Sequence, residues 1–334
     1  MKIATEEAFA TPALIEAFGK LLEDGAPGEP GLEHMAGRLL NPTNEWTARL
    51  GEQLLDLGEI RLAQMAEGGV DRQIIAITSP GVQVFDADTA CGLAEDANDI
   101  LAEAARAHPG HFHGLAAIAP QAPVRAAREL ERAVGLGLKG AVINSHTKGE
   151  YLDGSAFRPI LEAAVALDVP IYLHPRPVPP GMIAPFAERQ FEGAFWGFQT
   201  ETALHALRMI VTGVFDRFPE LKIVLGHLGE GLPFWLDRLD RQFKRSPRDV
   251  NRSWTAERLP SEYFLENFWL TSAGHNWDPA VRFTEEVVGE DRLMLGVDYP
   301  YEVCKQQVDQ SLGIELKNPE KFYERNAKRV FKLN

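Results

Sequence analysis

Residues 170–177 read PIYLHPRP, and residues 222–233 read KIVLGHLGEGLP. Each opens on a short apolar run without alternation and then reaches a histidine, His174 or His227. A strand with one face in water alternates apolar and polar side chains, whereas a continuous apolar run suits a parallel strand buried on both faces. The same pattern recurs outward along the chain. Strand candidates lie at 2–7, 72–79, 113–120, 138–145, 170–174, 222–227, 268–272 and 292–298. Between them lie stretches of helical periodicity, at 88–108, 123–134, 156–167, 200–218 and 278–288.

The order is a βα unit repeated eight times, and right-handed crossovers then leave a closed barrel or a doubly wound sheet. A dinucleotide-binding sheet would place a GxGxxG turn directly after its first strand, but the chain continues Glu6-Glu7-Ala8-Phe9. The reading is α/β: a (β/α)8 TIM barrel, a single domain over residues 1–334. Two segments exceed the minimal repeat, 25–52 after the first strand and 178–198 after the fifth. Both follow strand C-termini, where a barrel carries its working loops.

The chain has 334 residues, with 34 Lys and Arg against 48 Asp and Glu, a net charge of −14. Such a balance argues against a nucleic-acid or membrane partner, since phosphate surfaces are bound through clustered cations. The two cysteines, Cys91 and Cys304, lack the spacing of a thiolate zinc site. The start, MKIATEEAFATP, lacks the features of a secretion signal, and no run approaches the roughly 20 apolar residues of a membrane helix. A soluble, cytoplasmic protein with a small or metal-bridged ligand is expected.

Candidate chemistry gathers at strand ends. Glu6 and Glu7 end the first strand; alternation lets only one point into a barrel, and solvated edge charge is the competing reading. His174 ends the fifth strand and Asp298 the eighth, in MLGVDYP; alone, each reads equally as a packed histidine and a helix cap. Together Glu6, His174 and Asp298 fall on the one face where barrels build active sites, and they form a competent set for manganese or zinc. His227 is followed by Glu230, at what should be a helix start, as a capping turn or an oriented acid–base pair. Arg238 is a solvated helix charge or a clamp for a carboxylate. Phe195, Trp196 and Phe198 are a packing cluster or the wall of an aromatic pocket. His108, His111 and His113 precede a strand, at the stability end of a barrel. Thr271 and His275, among other polar residues near strand ends, read as loop satisfaction. No GxSxG, P-loop or HxxEH motif is present, so serine-hydrolase and NTPase readings lack support.

The motifs KIATEEAFATP (2–12), SPGVQ (79–83), INSHTKGEYLD (143–153), YLHPRP (172–177), GVFDRFPELKIVLGHLGEGLPFWLDRLD (213–240) and VDYPYE (297–302) occur in an order that resembles the decarboxylase branch of the amidohydrolase superfamily. The branch includes γ-resorcylate, 2,3-dihydroxybenzoate and 5-carboxyvanillate decarboxylases, and the likeness is strongest to the 5-carboxyvanillate type. The resemblance implies a distorted barrel with one divalent metal, manganese first and zinc as the alternative, on Glu6, His174 and Asp298. It carries His227 and Glu230 onto a polar dyad, Arg238 onto an arginine that contacts substrate oxygens, and Phe198 onto a pocket aromatic. Some relatives have an ExH pair where this chain has Ala8. The 5-carboxyvanillate type also uses an arginine from a neighbouring subunit, in the loop that here reads NPTNEWTARLGEQ (41–53), where Arg49 is the nearest candidate and Trp46 a rival occupant.

The expected activity is non-oxidative decarboxylation of an ortho-hydroxy aromatic acid, with Asp298 protonating the ring before CO2 leaves. The expected partner is a small aromatic carboxylic acid, and the assembly a homodimer or homotetramer. Two alternatives stand beside it: metal-dependent hydrolysis of a C–N or C–C bond, and a non-catalytic barrel that binds an aromatic acid.

Overall fold

The computed structural model describes residues 1–245 and 254–334, apart from the side chains of His34 and Arg38. Among the described residues the strands are β1 (Ile3–Phe9), β2 (Arg72–Ile77), β3 (Phe112–Gly114), β4 (Ala116–Ala117), β5 (Ala141–Asn144), β6 (Ile171–His174), β7 (Ile223–Leu225), β8 (Phe268–Thr271) and β9 (Leu293–Met294). All pair in parallel, in the orders β1-β2-β3 and β4-β5-β6-β7-β8-β9.

Eight strand positions result, because β3 and β4 are one strand interrupted at Leu115. The Leu115 amide donates back to Ile75 at 2.8 Å while the Ala116 amide donates forward to Gly140 at 2.8 Å. At the other seam the amides of Thr5 and Ala8 donate to the carbonyls of Leu295 and Tyr299, at 3.0 and 2.7 Å. These bonds close the sheet into a distorted (β/α)8 barrel, a single domain. The eighth strand was expected over 292–298 but is regular only over Leu293–Met294, since residues 295–299 meet β1 in irregular register.

Four of the five expected helices fall where apolar periodicity placed them. Ala87–Ala107 is capped by Asp86, whose side chain accepts the amides of Asp88 and Thr89, and Pro123–Gly135 starts on proline. The helix expected over 200–218 is broken: Gly197–Val211 stops, Gly213 turns left-handed at φ 68°, and Val214–Arg217 follows. The 25–52 insertion is largely helical rather than loop, with Leu32–Leu40 and then Glu45–Leu55, the latter started by an Asn44–Thr47 capping box. Arg176, buried past the end of β6, ties this insertion to the barrel through an ion pair with Glu29. No described helix is long and apolar enough to cross a membrane.

Candidate active site

Glu6 and Glu7 are both buried, so solvated edge charge describes neither. Strict alternation fails here because the β1–β2 register shifts between Ala4 and Glu7. Glu6 turns to the barrel mouth. Its Oε2 accepts the hydroxyls of Tyr172, two residues before His174 on β6, and of Thr271, at the end of β8. Its Oε1 is buried with no hydrogen-bond partner. Gly226 makes room for this carboxylate, since a Cβ there would lie 2.5 Å from both oxygens.

Two imidazoles face the bare oxygen. His174 holds its Nδ1 2.8 Å from the carbonyl oxygen of Pro175, and His227 holds its Nδ1 2.8 Å from Glu230 Oε1. Both Nδ1 atoms meet acceptors, which assigns a proton to each Nδ1 and turns each Nε2 outward. The two Nε2 atoms each stand 3.6 Å from Glu6 Oε1. That separation is too long for a hydrogen bond, so the Glu6 oxygen stays without a partner between the two rings.

His227 reaches this position on an unusual backbone. Instead of entering a helix, residues 227–230 run left-handed, with φ of 48° at His227, 57° at Leu228, 78° at Gly229 and 56° at Glu230. Each non-glycine residue there costs about 1–3 kcal/mol, and the turn folds Glu230 back onto the imidazole before the helix Leu232–Arg245 begins. Burial opposes a charge on His227, but Glu230, Glu6 and Asp298 together push its pKa well above the usual value. Burial raises Glu230 and lowers His174.

Asp298 closes the ring of groups, also left-handed at φ 71°. Burial, and then the nearby Glu6, hold its carboxyl well above the ordinary carboxylate range. It lines both a small recess shared with Glu6, His174, Ala8 and Tyr301 and an open cavity of about 820 Å³. The cavity's walls come from the helix Gly197–Val211 and the helix Leu232–Arg245, with Phe198, Leu207, Trp235 and Leu239 opposite the polar end of His227 and Asp298.

The chemistry of these donors fits a divalent cation. One buried carboxylate oxygen lacks a partner, two imidazole Nε2 atoms stand 3.6 Å from it, and burial and then Glu6 drive a second carboxyl, that of Asp298, toward protonation. Glu6, His174 and Asp298 would hold the ion, with His227 Nε2 beside them. The side chains stand slightly apart: among the described residues, no three His, Cys, Asp or Glu are gathered as a finished cage. His111 instead pairs with the Asp71 carbonyl, and burial lowers His113 to about 4, at the far end of the barrel.

The structure brings Glu6, His174, His227, Glu230, Asp298 and Phe198 together. It does not bring Arg238 or Arg49 to the cavity of their own chain. Arg238 is exposed on its helix, and Arg49, also exposed, donates to the Glu45 carbonyl one turn back, with Trp46 nearby and exposed as well. No motif marks Tyr172, Gly226 or the structural part played by Glu7, and Thr271 and His275, which read as loop residues, stand at the Glu6 carboxylate and in the cavity wall. A period of two from His174 would have placed Tyr172 on the same face of β6.

Fold and site together define a class. The amidohydrolase family model matches residues 51–333, and the chain belongs to that family. A 5-carboxyvanillate decarboxylase from Novosphingobium aromaticivorans, solved with manganese and 4-hydroxy-3-methoxy-5-nitrobenzoic acid, is 41% identical with a TM-score of 0.96, covering 100% of this chain and 96% of that one. A dihydroxybenzoic acid decarboxylase from Polaromonas sp. JS666, solved with manganese and the inhibitor 2-nitroresorcinol, is 34% identical with a TM-score of 0.87 over 100% and 97% of the two chains. A γ-resorcylate decarboxylase from a Polaromonas species is 36% identical over 347 residues, 100% of this chain and 99% of its own.

Proposed function

We propose that this chain is a carboxy-lyase that removes CO2, without oxidation, from an aromatic acid carrying a hydroxyl ortho to its carboxylate. The observation that carries the reading is the buried, unpartnered Glu6 oxygen faced at 3.6 Å by the Nε2 atoms of His174 and His227, with Asp298 in the same recess as Glu6 and His174. Relatives of full length whose names are decarboxylases of such acids support it.

Glu6, His174 and Asp298 would hold a divalent metal, manganese in preference to zinc, which would supply a Lewis acid at the cavity. Tyr172 and Thr271 fix the Glu6 carboxylate through Oε2. Phe198 and its apolar neighbours seat the ring. Direct loss of CO2 would leave an aryl carbanion, so the ring carbon is protonated first and the carboxylate then departs with its bonding electrons returning to the ring. Asp298 holds the proton for that step, and Glu230 orients His227 to manage the phenolic proton.

The chain works as one barrel domain over residues 1–334, in the cytoplasm, where unpaired buried Cys91 and Cys304 suit a reducing compartment. It assembles as a homodimer or homotetramer in the breakdown of aromatic compounds. The exposed Trp196, Phe195 and Trp235 around the cavity favour a covered mouth. Arg49 then meets a ligand across such an interface, while Arg238, three residues past the cavity-lining Trp235, contacts substrate oxygens from its own helix.

The deciding experiment strips metal with a chelator, restores manganese or zinc, and screens hydroxybenzoates and carboxyvanillates in D2O. Metal-dependent CO2 release with one deuterium at the vacated carbon is expected. Incorporation of solvent oxygen without CO2 release would favour hydrolysis, and metal-independent ligand binding without turnover would favour a binding barrel.

A further inference from the structure

Glu7 takes no part in the chemistry above, yet its carboxylate spans the residue that does. It is 2% exposed. One oxygen accepts the amide of Val297 at 3.2 Å and the other the amide of Tyr299 at 3.0 Å. The amide between them, that of Asp298, donates to the Glu6 carbonyl at 3.0 Å, and the Ala8 amide returns to the Tyr299 carbonyl at 2.7 Å. Three consecutive amides are therefore fixed by two consecutive glutamates. The residue at the centre is Asp298, left-handed at φ 71°, a conformation an aspartate keeps only when its surroundings hold it there. Arg61 backs the arrangement, donating to the Ala8 carbonyl and lying 4.8 Å over the Tyr299 ring.

We propose that Glu7 is a positioning residue that acts through Asp298: by gripping the amides on either side, it fixes the backbone turn that points the Asp298 carboxylate at the metal and substrate. An ordinary second partner of a metal ligand grips its side chain, whereas this one grips the main chain around it. The inference rests on the reading of Glu6, His174 and Asp298 as the metal site.

Glu7→Gln keeps the shape but turns an NH2 group toward one of the two amide donors, so one contact becomes donor against donor. Manganese affinity of the chelated protein, read by competition with a fluorescent indicator, should fall about 10- to 100-fold. The kcat should fall with KM little changed, and the melting temperature without metal should stay near that of the parent. Glu7→Asp, which keeps the carboxyl group with a shorter reach, should lose affinity too, which separates positioning from simple loss of the carboxyl group. In an Asp298→Asn background, Glu7→Gln should add little further loss of affinity.

Unchanged manganese affinity with a lowered melting temperature would make Glu7 purely structural and overturn the proposal. If neither Glu7 variant folds, hydrogen exchange on the parent decides: the peptide around 295–301 should be strongly protected without metal, and exchange as fast as in exposed loops overturns the clamp. A parent that binds manganese but decarboxylates no ortho-hydroxy acid would defeat the proposed function and leave the affinity comparison intact.

Discussion

The amide of Asp298 donates to the carbonyl oxygen of Glu6 across 3.0 Å, so two carboxyl groups that share the recess belong to residues joined main chain to main chain at the seam of the barrel. Closing the sheet and assembling the site are one event. The bond also forces two acidic side chains into one desolvated recess, where both cannot carry a charge without a cation. With no cation there, burial and Glu6 drive Asp298 toward its protonated form.

Replacing Asp298 with asparagine keeps the shape and removes the acid. The turnover number should fall about 10²- to 10⁴-fold, the range of a lost general acid, while circular dichroism and the melting temperature remain near those of the parent. Full turnover in Asp298→Asn would assign the proton to another group.

His227 depends on Glu230 for its tautomer and for its raised affinity for protons, through the 2.8 Å contact made by the left-handed turn. Glu230→Gln removes the negative charge and should lower kcat/KM about 10- to 100-fold, as loss of an orienting partner does. Taking away an anion lowers the pKa of the imidazole, so the limb of the pH profile that reports His227 should move to lower pH. A profile unmoved by the substitution would detach His227 from the rate.

Gly226 is a position where the metal site and the backbone compete for the same space. A methyl group 2.5 Å from both Glu6 oxygens must displace the carboxylate or the strand end, an overpacking cost of about 1–3 kcal/mol. Gly226→Ala should weaken manganese binding, measured by titration of the chelated protein, more than it lowers the melting temperature. Parental affinity would show that Glu6 has room to move.

What the sequence made legible was the part governed by burial and period. Apolar runs such as KIVLGH marked the strands, and the polar residues that ended them, Glu6, His174, His227 and Asp298, stand together at the barrel mouth because strand C-termini share one face. What stayed hidden depends on backbone dihedrals and on register. No pattern of residue types announces that four residues after β7 turn left-handed, that a register shift buries Glu7 as well as Glu6, or that Leu115 divides a strand. Helix boundaries failed where glycine intervened, as at Gly213.

A buried group far from this chemistry gives the last expectation. Glu201, on the helix Gly197–Val211, has its carboxyl pushed up to about 8 by burial, against the pull of the Ser145 hydroxyl and Arg176. His205, one turn further on, is pushed down to about 3 by burial. The two act in opposite senses. Below the usual histidine value of 6.5, the unfolded chain takes up a proton that buried His205 refuses, so that residue makes stability rise with pH. From the ordinary glutamate value of 4.5 up to about 8, the folded chain keeps a proton on Glu201 that the unfolded chain has lost, so stability falls as pH rises. Between 6.5 and 8 only Glu201 of the pair still contributes a slope, at most about 1.4 kcal/mol per pH unit. Glu201→Gln should therefore melt progressively higher than the parent as pH is raised from 6.5 to 8, with the gap levelling off above. A difference in melting temperature that stays constant across that window would mean that Glu201 does not titrate there.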